Sequence, residues 1–200
     1  MTSFDFSAAC STLEIPVPSE IPKVYSEQSN TLRSIEEICK RSTALYLVAT
    51  YSEGVIQKNC PIEESQKYIK NYITKFKAAE YFTTNEKEYL ENKTPSDEQV
   101  GFLCWRWESL HFILWACGFI ADLGLPNTPC QTFNCAKVFN RNRSNEAFTK
   151  SSKMLPLEKI IEMANFVEYI GSCEKAKVDV GVLTEWRKAS KWLLTAEQWE

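Results

Sequence analysis

A single histidine stands in this chain of 200 residues, and its scarcity shapes the reading of everything that carries chemistry. A metal centre takes three or four protein ligands, so with no second histidine the thiols and carboxylates would have to supply the rest, and no bound metal or other cofactor is expected. There is no Cys-x-x-Cys pair, no glycine-rich phosphate loop and no Gly-x-Ser-x-Gly elbow. The motifs that announce phosphate cradling or a serine nucleophile are therefore missing. The most apolar of the long charge-free runs, residues 109–121, is shorter than the about 17–25 apolar residues that a spanning helix needs. The amino terminus lacks a basic start followed by an apolar run, so it does not read as a secretory signal. A net charge of −3 exerts no general pull on nucleic acid or an anionic membrane.

Eight cysteines are present, at positions 10, 39, 60, 104, 117, 130, 135 and 173. They are dispersed, and several fall on apolar helical stripes where cysteine behaves as a small hydrophobe. Reduced thiols in a soluble, cytoplasmic protein are the expectation. Strand-like alternation is nearly absent, a brief strand at Val178–Val180 being the one candidate, and no internal repeat is visible.

Helical spacing carries the rest. Residues 1–30 hold Pro16, Pro18 and Pro22 without a strong period, which predicts an extended or mobile segment. Ser34-Ile-Glu-Glu37 is a capping box opening a helix to about Ser52, with Gly54 as its stop. Further helices are predicted from Pro61 to Lys77 and, opened by Thr83-Thr-Asn-Glu86, to about Lys93. A long central helix from Asp97 to Leu123 opens on Ser96-Asp-Glu-Gln99 and closes at Gly124 and Pro126. A short helix over 132–140, another from Leu155, and a last one over about 182–194 complete the set. Residues 141–153 are basic and polar and read as a surface connection. The fold class is all-α: one compact domain of six or seven helices over 31–200, around a central tryptophan-rich helix.

That central helix contains Trp105, Trp107 and Trp115, three of the six tryptophans, and the histidine. At about 100° per residue, Cys104, Glu108, His111 and Trp115 fall within about 60° of one another, while Arg106 points to the other side. Glu108 and His111 have the right types for a base and its orienter, or for metal ligation with Cys104. The favoured reading is that both are buried polar groups satisfied by neighbouring helices. An unpaired charge in apolar surroundings is expensive, so Arg106 and Glu108 need partners, and Glu185 and Arg187 of the last helix are the candidates. Arg187 or another cation is expected to meet Glu108. Cys130-Gln-Thr-Phe-Asn-Cys135, with Cys117 upstream, could form half of a zinc site, but the spacing is loose and free thiols are the expectation.

Residues 102–120, Phe-Leu-Cys-Trp-Arg-Trp-Glu-Ser-Leu-His-Phe-Ile-Leu-Trp-Ala-Cys-Gly-Phe-Ile, followed by Leu125-Pro126 and Cys130, resemble the W-R-x-E-[AS]-L-x-x-L-x-W-A-x-G core of a bacterial family known as domain of unknown function 4272. Gly181-Val-Leu-Thr-Glu-Trp-Arg-Lys-Ala-Ser-Lys-Trp-Leu-Leu and the ending at Trp199 are similar to that family's carboxyl end, and residues 155–168 to one of its helices. The resemblance spans about 31–200. Matching positions are Trp105, Arg106, Glu108, Leu110, Trp115, Ala116, Gly118, Glu185, Arg187, Ala189 and Trp192. Lys191 and Trp186 depart from the family's Asn and Arg, and its Arg-x-His-Trp run is replaced around residues 165–173. The resemblance implies a fold and no reaction. Two readings follow. One is a non-enzymatic accessory or immunity-like module that binds another protein, with neither membrane nor nucleic acid as partner. The other is a small-ligand binder or enzyme with a pocket between the central and last helices, built from Trp105, Arg106, Trp107, Glu108, His111, Glu185, Arg187 and Trp192.

Overall fold

Every residue from Arg106 to Ala116 is buried, charged ones included, because neighbouring helices cover this segment on all sides. The computed structural model describes residues 4–58 and 61–199. Among them are ten α-helical segments and no strand: α1 (Phe6–Thr12), α2 (Ile35–Gln57), α3 (Ile62–Phe76), α4 (Thr84–Glu91), α5 (Asp97–Cys104), α6 (Arg106–Ala116), α7 (Thr132–Arg141), α8 (Asn145–Ser151), α9 (Leu157–Ser172) and α10 (Val180–Leu194). The all-α class stands, but the count exceeds six or seven. Counting α5 and α6 as one helix bent at Trp105 leaves nine.

The centre is shared rather than occupied by one long helix. α2 lies against α5, α6, α3 and α8, and α6 lies against α2, α10 and α7. The expected helix over 97–123 is interrupted at Trp105, where the Glu108 N–H closes a tight three-residue bond to the Trp105 carbonyl at 2.9 Å. It also stops seven residues early. Gly118, at φ +74°, ends α6 in a Schellman motif, with Phe119 N–H donating to Leu114 O and Gly118 N–H to Trp115 O, both at 2.9 Å. Residues 153–155 then take the last free carbonyls: Lys153 N–H donates to Cys117 O and Leu155 N–H to Ala116 O, each at 2.9 Å.

Local chemistry explains most boundaries. Ser34–Glu37 and Thr83–Glu86 form reciprocal capping boxes, whereas Ser96 accepts from Gln99 N–H at 3.1 Å without the return bond. α2 runs through Gly54 and ends at Lys58, in the left-handed region at φ +51°. Asp179 caps α10 by accepting from Gly181 and Val182 N–H, so Val178–Val180 is a helix start and no strand.

Two short helices were outside the sequence reading. Residues 1–30, expected as extended or mobile, contain α1, capped by Asp5, and they bury Cys10, Leu13 and Tyr25 in the core. The basic stretch 141–153 contains α8, pinned by Phe148, whose ring meets Phe119 and Phe139. One inward aromatic is too little periodicity to see in a sequence, yet full burial of a phenylalanine contributes about 1.5–3 kcal/mol. No helix among the described residues is long and apolar enough to cross a membrane.

Candidate functional site

The polar groups of α6 sort into two centres on different sides of the helix. The first lies between α6, α10, α2 and α4. Arg106 Nη1 sits 2.5 Å from Glu185 Oε1, and Ser109 Oγ donates to Glu185 Oε2 at 2.5 Å. Nearby, Arg41 Nη2 meets Glu86 Oε1 at 2.5 Å, while the other oxygen of Glu86 accepts Thr83 N–H in the capping box of α4. Both arginines face Trp199, with Arg41 Cζ 4.9 Å and Arg106 Cζ 5.9 Å from the ring centroid. Burial lowers the Arg41 pKa and Glu86 works against that shift. Lys188 joins the rim, 5.1 Å from the same ring. Burial first, then the charges of Arg106 and Arg41, push its pKa down to about 8.

The second centre faces α7. Glu108 Oε1 accepts the Cys130 backbone N–H at 2.7 Å, and Glu108 Oε2 is buried with no hydrogen-bond donor among the described residues. His111 stacks on Trp186 at 6.4 Å, and its Nε2 lies 3.2 Å from the Leu123 carbonyl. A carbonyl only accepts, so Nε2 carries a proton, and in the neutral ring Nδ1 presents a lone pair. That lone pair faces Cys135 Sγ at 3.8 Å. The ligand atoms of His111, Cys130 and Cys135 all lie within 4.8 Å of one another. The Cys135 thiol is held down, to about 6, foremost by a hydrogen bond from Cys130 and further by His111, against the opposing effect of burial. Cys130 is pushed up by Cys135, by burial and by the nearby Glu108 carboxylate. Burial lowers the His111 pKa, but Cys135, the Leu123 carbonyl and Glu108 outweigh it, so the net shift is upward.

The structure thus brings Arg106 to Glu185, gives Glu108 and His111 separate partners, and splits the eight candidate residues into separate groups. Among the described residues no arginine meets Glu108: Arg187 pairs with Glu168 at 2.6 Å on the surface of α9 and α10. The reason is that α10 crosses the Arg106 side of α6, leaving the Glu108 side to the loop before α7. Cys104 does not join His111 either. It turns toward α2, where burial and Glu53 push its thiol up to about 11. Cys117 is likewise apart, beside Ser152. Trp192 stacks under Arg33 at 4.7 Å. Trp107 packs edge-on to Tyr46 in the core, and Trp105 lies on the Gly181 backbone at the mouth of α10.

Arg41 and Glu86 were not singled out in the sequence. Glu86 was visible as a cap residue, but its reach to an arginine on α2 is a tertiary contact without a sequence signal. The Cys130–Cys135 spacing is visible in the sequence and its pairing with His111 is not, because 18 residues separate His111 from Cys130 and the chain reverses between them.

No curated protein and no solved structure matches the chain. One family model covers nearly all of it, residues 6–200, under the description Domain of unknown function (DUF4272). Its extent takes in α1 and both polar centres, and the chain belongs to that family.

Proposed function

We propose that this chain is a non-enzymatic accessory module that works by binding another protein. The observation that carries the reading is the contrast between its polar and apolar groups. Glu108 and His111 are 3% and 8% exposed, sealed between helices where no substrate meets them. Large apolar side chains stand outside instead. Phe102 is 59% and Val180 72% exposed, and Trp105, 36% exposed, stands three residues on from Phe102 with its ring against Gly181, the neighbour of Val180 in the chain. An apolar cluster centred on a tryptophan is the usual composition of an interface centre. The charge balance of −3 favours a protein over an anionic membrane or nucleic acid.

The test is native mass spectrometry of the chain purified at its natural level, beside the double variant Phe102→Asp/Val180→Asp. A stoichiometric protein complex that the variant loses, with its helix content and melting temperature kept, supports the reading. A monomer in both samples, or a complex indifferent to the substitutions, overturns it.

A second reading rests on a different observation. A cleft of about 610 Å³ opens along α10, lined by Lys188, Lys191, Trp192 and Trp199 among others. Two of the cleft's cations, Arg187 and Lys191, are paired with Glu168 and Glu197, so the two indoles suit a small aromatic ligand of either charge. In the same spectra, a retained small molecule of constant mass would favour this binder over the protein partner.

A further inference from the structure

We infer that His111, Cys130, Cys135 and Glu108 form a closed zinc-type metal site that fastens the loop before α7 to the central helix. The inference is independent of the proposed function, and its test reads the metal alone.

Geometry is the first argument. A tetrahedral zinc ion with Zn–N of about 2.0–2.1 Å and Zn–S of about 2.3 Å holds its nitrogen and sulfur ligands about 3.6 Å apart. His111 Nδ1 and Cys135 Sγ are 3.8 Å apart. Cys130 Sγ completes a set in which no pair of ligand atoms exceeds 4.8 Å. Closure of these three onto an ion therefore takes small side-chain rotations and no movement of a helix.

The surroundings of the ligands are the second argument. A metal-bound histidine ordinarily donates its other ring N–H to a carbonyl or carboxylate, which fixes the tautomer and aims the free nitrogen. His111 Nε2 does this toward Leu123 O at 3.2 Å. Glu108 is fixed in the same manner: one oxygen accepts the Cys130 N–H at 2.7 Å, and the other is buried without a hydrogen-bond donor. Leaving a buried carboxylate oxygen unmatched is costly, and a cation is the partner that this oxygen lacks. Glu108 stands outside the 4.8 Å set of the other three, so its Oε2 becomes the fourth ligand only as the side chain turns toward the ion.

The ligand types and their burial then select the ion and its role. Two thiolates, an imidazole and a carboxylate suit a borderline-soft divalent ion, zinc above calcium or magnesium. Cys135 is fully buried, His111 nearly so and Cys130 half-buried, so it is the count of four protein ligands that fills the coordination shell. The role is structural. α6 supplies Glu108 and His111, while the loop and the first turn of α7 supply Cys130 and Cys135, so the ion joins segments that the chain alone links through residues 117–129. On binding, zinc replaces the remaining thiol protons, which pass to water.

The experiment uses the full chain, purified reduced and without chelator. Elemental analysis is expected to find one zinc per chain. Cobalt(II), exchanged for zinc, is expected to give tetrahedral d–d bands with a thiolate charge-transfer band. Cys130→Ser should roughly halve the charge-transfer band, and Glu108→Gln should shift the d–d bands while leaving the charge-transfer band in place. A folded, reduced chain that neither retains zinc nor develops the cobalt bands overturns the site. So does recovery of a Cys130–Cys135 disulfide whose reduced form still refuses cobalt. A Glu108→Gln cobalt spectrum identical to wild type overturns the four-ligand assignment. Helix content by circular dichroism, measured on each variant, separates loss of metal from loss of fold.

Discussion

Arg106 of α6 and Glu185 of α10 face each other at 2.5 Å with both side chains only 4% exposed. Removing one partner from such a pair strands the other charge in a low-dielectric interior. Glu185→Ala and Arg106→Ala are each expected to destabilise the fold by about 3–5 kcal/mol. The double variant Arg106→Met/Glu185→Met should be far milder than the sum of the single losses, since an apolar pair leaves no orphaned charge. Urea denaturation of the three variants checks this, and additive losses would count against the pairing.

Gly118 and Gly124 both have positive φ, at +74° and +76°. Their surroundings differ. A Cβ at Gly118 would run into the Lys153 carbonyl, whereas one at Gly124 would meet nothing within 4 Å. Gly124→Ala should cost about 1 kcal/mol of backbone strain, and Gly118→Ala should add overpacking of about 1–3 kcal/mol to that. Comparing the two thermal unfolding curves isolates the packing contribution.

Phe148 anchors α8 with 1% of its surface exposed. Phe148→Ala is expected to cost about 3–5 kcal/mol and to release residues 145–151 first. Hydrogen exchange should show protection lost there before it is lost in α6. Uniform loss across both helices would contradict a separate anchoring role for this ring.

Lys188 supplies a dependence on pH. Its folded pKa, about 8, lies below the ordinary 10.5, so between those values the unfolded chain binds more protons than the folded one. Stability from this group therefore rises with pH from about 8 to 10.5 and is flat above and below. Lys188→Met should gain stability over wild type near neutral pH, and the gain should shrink toward about pH 10. Denaturation midpoints of the two proteins across that range test the sign.

Much of the helical set was legible because its signals are local. The Ser34–Glu37 and Thr83–Glu86 boxes work within four residues, and the apolar period of α9 and α10 needs nothing outside those helices. The failures were local as well. α1 and α8 are seven residues each, too short to show a period, and they are held by Cys10 and Phe148 inserted into a core that other segments build. Gly54 was read as a helix stop on its propensity, while α3 packed alongside carries α2 on to Gln57.

For the polar residues, the sequence by itself determined that α6 would be buried on all sides, and that Arg106 and Glu108 would leave it in different directions. Both follow from composition and a fixed angle per residue. Only the tertiary structure decided which groups answer them. Glu185 reaches Arg106 because α10 crosses that side of α6, and Cys130 and Cys135 reach His111 because the chain turns back after Gly118. The angle between neighbours along a helix is set by the backbone, whereas the partner across a helix interface is set by the packing of whole elements, which no short stretch of sequence encodes.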